Sequence, residues 1–203
     1  MNEPRLLIDP EELAALMAGG DPPVVADCRF ALGDPSAGER AYAAGHIDGA
    51  HYLHLDRDLS GPRGATGGRH PLPSAEAFGD TLARIGLASG RLLVAYDDFR
   101  GGWAARLWWL LRYFGHAEVC LLDGGWSAWV ARGLPVSSAV PPVSGGRRLL
   151  RATPGMTIDA EALGDEPARR ALCVVDSRDP ARYSGAEEPV DPVGGHKIGR
   201  AHV

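Results

Sequence analysis

Two adjacent carboxylates, Asp97 and Asp98, stand between a short apolar run and a helical pattern in the stretch VAYDDFRGGWAAR. A loop between a buried strand and a helix N-terminus is a common place for catalytic side chains and for anion binding. Aspartates there can cap the helix and shape a turn, because their oxygens accept hydrogen bonds from backbone N–H groups. They could instead act as a nucleophile or a metal pair in phosphoryl transfer. Since no acidic cluster or lysine accompanies them in the sequence, capping in a solvated turn is the favoured interpretation.

The other reactive residue types are three cysteines and several histidines. Cys28, Cys120 and Cys173 are widely spaced and match neither a disulfide framework nor a CxxC metal site, which predicts buried, reduced thiols. His46 and His196 each lie in a Gly-His turn that opens a strand. We therefore predict structural hydrogen bonds for these two imidazoles rather than roles as bases or ligands.

The elements that would position these residues alternate along the chain. Apolar runs predict strands at 24–27, around 51–55, at 92–96 and at 119–122. Capping and helical patterns predict helices after Asp9, over 39–44, from Ser74 to 86, over 103–114 and over 127–132. Strands alternating with helices predict an α/β fold, with a parallel sheet covered by helices on both faces.

Length and charge restrict the class of protein further. The chain has 203 residues with 45% hydrophobic content, enough for one α/β domain and about 50 residues more. Its net charge of −5 is spread along the chain, which excludes a nucleic-acid partner but is compatible with a small anionic substrate where arginines converge. Neither a bilayer-spanning run nor a signal peptide is evident, so we expect a cytoplasmic protein with no membrane partner.

An internal repeat divides the sequence. The run VVADCR at 24–29 resembles VVDSR at 174–178, and Gly-His follows at 45–46 and at 195–196. The spacing from Asp27 to His46 is 19 residues, and that from Asp176 to His196 is 20. A stretch rich in Ser, Pro and Gly separates the copies. We therefore predict a first domain over 1–138, a linker over 139–154, and the incomplete start of a second domain over 155–203, poorly ordered or draped over the first.

Two motifs in this order carry a family resemblance. YAAGHIDGAHYL and the later LLDGGWSAWVARGLP resemble the signatures of the rhodanese sulfurtransferases, and residues 6–203 are similar to the two-domain thiosulfate and 3-mercaptopyruvate enzymes. The resemblance implies a rhodanese-like domain with about five parallel strands, no cofactor or metal, and catalysis through a Cys persulfide in the second domain. In an active domain that Cys directly follows a strand and its Tyr; here Asp97 follows Tyr96, so the first domain resembles an inactive copy.

The resemblance also implies roles for residues outside that loop. Arg182, in the sequence ARY, matches the family's substrate-binding arginine, and Arg178 is a weaker candidate that could pair structurally. Asp56 and His70 match positions from which an Asp and a His approach the catalytic loop in the mercaptopyruvate branch. The implied donor is a small anion, thiosulfate or 3-mercaptopyruvate, and the acceptor is cyanide or a thiol. Asp191 stands where the mercaptopyruvate branch often has another arginine, which slightly favours thiosulfate.

The chain departs from the family after Gly195 and His196. It reads KIGRAHV, where the family continues with Ile-Pro-Gly-Ala and leads on to the catalytic Cys. We therefore expect these 203 residues to be inactive alone. Two further hypotheses are a non-catalytic rhodanese-like module for binding or regulation, and a remnant without function; turnover of thiosulfate would separate them from the enzymatic one.

Overall fold

The computed structural model describes residues 5–64, 68–142, 149–164, 172–189, 194–195 and 200–202, the last three by their backbone. The chain divides into two compact units, unit 1 (Met1–Thr153) and unit 2 (Pro154–Val203). In unit 1 the elements are β1 (Leu7–Ile8), α1 (Pro10–Met17), β2 (Val24–Asp27), α2 (Ala37–Ala44), β3 (His46–Ile47), β4 (His51–Tyr52), α3 (Ala75–Arg84), β5 (Leu93–Tyr96), α4 (Ala104–Tyr113), β6 (Val119–Leu122), α5 (Gly125–Ala131) and β7 (Val136–Ser137). In unit 2 they are α6 (Ala160–Gly164), β8 (Val174–Asp176), α7 (Pro180–Ser184) and β9 (Arg200–His202).

The main sheet of unit 1 has five strands in the order β1-β6-β5-β2-β4, and every neighbouring pair is parallel. Its centre is fixed by the register of Val25 with Val94 and of Val94 with Cys120. The predicted fold class, α/β with about five parallel strands, is confirmed. Because strands in a parallel sheet all point the same way, the residues that follow β2, β5 and β6 meet at one end of the sheet.

Alternating side chains along the central strands give unit 1 two hydrophobic cores, one on each face of the sheet. Leu93 and Ala95 of β5 face the core that α3 and α4 cover, whereas Val94 and Tyr96 face the other. Helices α1 and α5 cover that second core, to which α5 contributes the fully buried Trp129. The sheet is thus covered on both faces, as predicted.

Local sequence signals fix the helix starts. Asp9 accepts a hydrogen bond from the Glu11 N–H (2.9 Å), and Ser74 accepts one from the Ala77 N–H (3.1 Å), so both predicted N-caps are confirmed. In the segment predicted as a linker, Thr153 lies against the rest of unit 1, because its N–H donates to the Tyr113 carbonyl (2.7 Å). The exact domain boundaries stay a prediction.

The described part of unit 2 is a two-stranded parallel sheet, β8 with β9, and the short helices α6 and α7. Cys173 precedes β8 and is exposed, so the prediction that it is buried was wrong; Cys28 and Cys120 are buried as expected. Val175 of β8 is also exposed, since a two-stranded sheet has fewer neighbours to cover its side chains. Among the described residues, no helix has both the length and the apolar character needed to cross a membrane.

Candidate functional site

The loop after β5 encloses the carboxylate of Asp97. Its Oδ1 accepts the N–H groups of Phe99 and Gly101, and its Oδ2 accepts those of Trp103 and Ala104, all at 2.8 Å. We call this ring of four N–H donors the cradle. Asp97 is 1% exposed, so the carboxylate is buried among these donors and caps α4 from six residues upstream.

The cradle depends on unusual backbone conformations in the loop. Arg100 has a φ of +53° and Gly101 a φ of +82°, both in the left-handed region. These turns aim successive N–H groups inward, the arrangement by which a backbone nest binds an anion. Gly125, at the start of α5, comes so close that a Cβ would lie 2.3 Å from the Asp97 carbonyl oxygen. The loop is therefore held by a tightly packed neighbour.

The hydrogen bonds of the cradle bear on whether Asp97 and Asp98 cap the helix or act as a nucleophile or metal pair. Each oxygen of Asp97 already accepts two backbone N–H groups, which favours capping over a nucleophile or metal ligand. The expectation of a solvated turn holds for the exposed Asp98 but is wrong for Asp97, because the cradle removes its carboxylate from solvent. No group of three or more metal-ligating side chains occurs among the residues that the structure describes.

Asp56 and His70 are brought together, although they are 14 residues apart. The His70 Nε2 lies 3.1 Å from the Asp56 Oδ1, and both side chains are partly exposed. Burial lowers the pKa of His70, the Asp56 carboxylate opposes this shift, and Arg106, Arg69 and Arg63 add to it. At neutral pH the ring is therefore a neutral proton acceptor beside a carboxylate.

Phe30 connects this pair to the cradle loop. Its ring meets the His70 ring edge-on, with centroids 6.5 Å apart, and the Trp103 ring in the same way at 5.5 Å. Trp103 in turn donates its backbone N–H to Asp97. The cradle and the Asp56–His70 pair therefore lie at the same end of the sheet, the end at which ligands bind in parallel α/β folds.

An ion pair recurs in both units. In unit 1 the guanidinium of Arg29 donates to the Asp27 carboxylate (2.6 Å) and to the Gly45 carbonyl (2.7 Å) and lies 4.4 Å from the centre of the Trp126 ring. In unit 2 the guanidinium of Arg178 donates to the Asp176 carboxylate (2.8 Å) and to the Gly195 carbonyl (2.9 Å). Since Arg29 is 3% exposed and its bonds are all to the protein's own groups, this shared arrangement is characteristic of a structural contact, in which removal of one partner would leave the other charge buried and unpaired.

Arg182, the stronger substrate candidate, lies in α7 and pairs with Glu188 at 2.8 Å. The Glu188 carboxylate also lies 3.7 Å from Arg178, so it bridges the two arginines. Sequence reasoning missed Glu188, because helical side-chain pairing predicts partners three or four residues apart and Glu188 is six residues from Arg182. Asp191 and His196 lie outside the described residues.

His46 has the structural environment that was predicted. It is fully buried, stacks on the Tyr42 ring with centroids 3.8 Å apart, and places its ring nitrogens 2.8 and 3.1 Å from the carbonyl oxygens of Tyr42 and Ala139. A histidine enclosed in this way fixes the chain rather than reacting with a ligand.

Comparisons with known proteins agree with this geometry. The sequence pattern of the rhodanese-like domain matches residues 9–132. The chain is 42% identical over 193 residues to a Pseudomonas aeruginosa protein named "probable 3-mercaptopyruvate sulfurtransferase", covering 94% of this chain and 67% of that one. It is 32% identical over 191 residues to the thiosulfate sulfurtransferase of Azotobacter vinelandii, covering 94% of this chain and 66% of that one. The crystal structure of the Escherichia coli 3-mercaptopyruvate sulfotransferase SseA superposes with a TM-score of 0.84 at 24% identity, covering 98% of this chain and 74% of that one.

Proposed function

The chain belongs to the rhodanese family of sulfurtransferases, and from that membership we propose that unit 1 is the domain without the catalytic cysteine in a two-domain enzyme. Unit 2 is then the beginning of the domain that binds the sulfur donor. The chain spans about two thirds of the length of the two relatives described above, so the activity of a whole enzyme is part of this proposal.

The observation that carries the proposal is the occupied cradle. A persulfide is an anion, and a loop of inward-pointing N–H donors at a helix N-terminus stabilises it. In unit 1 these donors are already bonded to the carboxylate of Asp97, which has no sulfur to transfer. The first domain thus keeps the architecture of the persulfide loop with a fixed, unreactive anion inside it.

In the proposed reaction a Cys thiolate of the second domain attacks the outer sulfur of thiosulfate. The new S–S bond forms as the old one breaks, and sulfite leaves with the electron pair. Cyanide or a thiolate then takes the outer sulfur from the persulfide and regenerates the Cys thiolate. With 3-mercaptopyruvate as the donor, the C–S bond breaks instead, and the carbon product takes up a proton to become pyruvate.

Arg182 is the residue that we assign to the donor's negative charge. Its planar guanidinium can form two parallel, charge-assisted hydrogen bonds to a sulfonate or carboxylate. Glu188 holds this guanidinium through its Nε and one terminal nitrogen. The bonding of Arg178 repeats that of Arg29, which favours a structural role for Arg178.

Asp56 and His70 are assigned to proton transfer or substrate orientation. The carboxylate holds the ring through the 3.1 Å contact, and the lowered pKa keeps the ring neutral. Such a pair can accept a proton from a substrate thiol. A non-catalytic binding module is the second candidate, favoured by Phe99, which is 63% exposed and stacks on Trp103.

Thiosulfate:cyanide transferase activity tests the proposal. We expect no turnover from the purified 203-residue chain, and turnover that disappears on substitution of a native cysteine would contradict the role given to Asp97. Thiosulfate titration followed by NMR separates the two candidates. The sulfurtransferase proposal requires shifts in unit 2 that Arg182→Ala removes, whereas a binding module would show none.

A further inference from the structure

Arg106 of α4 fixes the backbone around His70. Its Nε donates to the Leu59 carbonyl (2.8 Å), and one terminal nitrogen donates to the carbonyls of His70 (2.9 Å) and Pro71 (3.0 Å). Leu59 and Pro71 stand at the two ends of the segment that carries His70, and we call its described residues, 59–64 and 68–71, the His70 loop. A single guanidinium thus joins both ends of this loop to a helix of the core.

We infer that Arg106 is a positioning residue for the Asp56–His70 pair, an inference that rests on the proposed function of that pair. Asp56 is fixed separately, because its N–H donates to the His54 Nδ1 (3.1 Å). The 3.1 Å contact between Asp56 and His70 therefore requires that two independently held stretches of backbone keep their relative positions. On the side of His70, the hydrogen bond from Arg106 to the His70 carbonyl holds the backbone in place.

The choice of arginine has a physical reason. Three carbonyls from separate residues must be bonded at once, and a guanidinium offers five N–H donors in a planar fork. The shorter and rotatable ammonium of lysine cannot reach all three. The Gly61 N–H adds to the same closure by donating to the Pro71 carbonyl (3.0 Å).

The charge of Arg106 has a second effect on His70. The three carbonyls that it bonds are neutral, and although burial lowers the pKa of its guanidinium, arginine stays protonated in proteins. The charged side chains that act on His70 are Asp56, Arg63, Arg69 and Arg106. Asp56 favours the protonated ring, and the three arginines disfavour it. Arg106 thus places the ring and also helps to keep it able to accept a proton.

The test uses NMR on the whole chain with Arg106→Gln, Arg106→Lys and the control Arg112→Gln. Arg112 lies on the same helix, with its guanidinium 5.2 Å from the centre of the Trp108 ring. Hydrogen exchange of the Gly61 amide reports the loop, and titration of the His70 ring reports its environment. Gly61 donates to the Pro71 carbonyl, which Arg106 also bonds. Loss of a charge-assisted hydrogen bond weakens the closure of the loop by about tenfold or more, so we expect Gly61 exchange at least about tenfold faster in both Arg106 variants.

The two Arg106 variants separate anchoring from charge. Arg106→Gln is expected to raise the pKa of His70, since a positive charge is removed, whereas Arg106→Lys keeps the charge and raises it less. Arg112→Gln should leave both measurements unchanged. Wild-type exchange of Gly61 in both Arg106 variants would overturn the inference, even with a moved His70 titration, because a titration shift without loss of protection comes from the charge alone. Neither measurement uses turnover, so a failure of the proposed sulfur transfer would leave this result interpretable.

Discussion

The cradle makes a quantitative prediction for the substitution Asp97→Ala. The change leaves four N–H donors without their acceptor, three of them partly accessible to water and one, that of Ala104, buried. At about 1 kcal/mol for each donor that water can reach and about 2 kcal/mol for the buried one, the free energy of unfolding of unit 1 falls by about 5 kcal/mol. A loss of this size is exceptional for one substitution.

Urea unfolding followed by tryptophan fluorescence measures this loss, because all five tryptophans of the chain lie in unit 1. The matched control is Asp98→Ala, which removes an exposed carboxylate from the same loop and should cost less than about 0.5 kcal/mol. Asp97→Asn tests whether both carboxylate oxygens are needed as acceptors. The NH₂ group of the asparagine would face two N–H donors at the place where an oxygen now accepts their hydrogen bonds.

We therefore expect Asp97→Asn to lose more than half of the stability that Asp97→Ala loses, although asparagine has nearly the shape of aspartate. Equal midpoints for Asp97→Ala and Asp98→Ala would refute the reasoning. That result would mean that water replaces the carboxylate in the cradle without cost, and the loop could then not be described as an anion site.

Three further predictions address other groups. Asp97→Cys, in a Cys173→Ser background, should place a thiol in the cradle with a pKa below its ordinary value of about 8.5, whereas Asp98→Cys should titrate normally; equal pH profiles of alkylation would contradict this. Burial raises the pKa of Tyr42 to about 12, so its contribution to stability is complete below about pH 10 and is lost between about pH 10 and that value. Urea midpoints at rising pH should fall over this window, and less so in Tyr42→Phe. Arg29→Lys should cost unit 1 about 2 kcal/mol or more, measured by urea unfolding, because an ammonium cannot bridge a carboxylate and a carbonyl as the guanidinium does.

The features that were predicted best from the sequence depend on residues close to each other along the chain. The caps at Asp9 and Ser74 need only the two or three residues that follow them, and both form as expected. The buried run of β5 follows from composition alone. Capping by Asp97 could also be inferred, because aspartate commonly bonds to backbone N–H groups a few residues later.

The features that escaped prediction depend on contacts between distant residues. The closed cradle requires Arg100 in a left-handed conformation, which is uncommon for a residue other than glycine, and the packing of Gly125 from another helix. Arg106 bonds to carbonyls 35 to 47 residues away, and no local pattern couples those positions. The apolar sequence beside Cys173 predicts a buried thiol, but the two described strands of unit 2 leave it exposed.

The ion pair that recurs in both units allows the residues around it to be compared. Arg29 and Arg178 make the same bonds to an aspartate and a glycine carbonyl, so this pair belongs to the common framework of the fold. Four residues after Arg29 the sequence has Gly33, whereas four residues after Arg178 it has Arg182, paired with Glu188. A group that both units share is sufficiently explained by folding. The pairing of Arg182 with Glu188 has no counterpart at Gly33, and a partly exposed guanidinium held by a buried carboxylate is suited to binding an anion. This difference supports the proposal that the sulfur donor binds at Arg182.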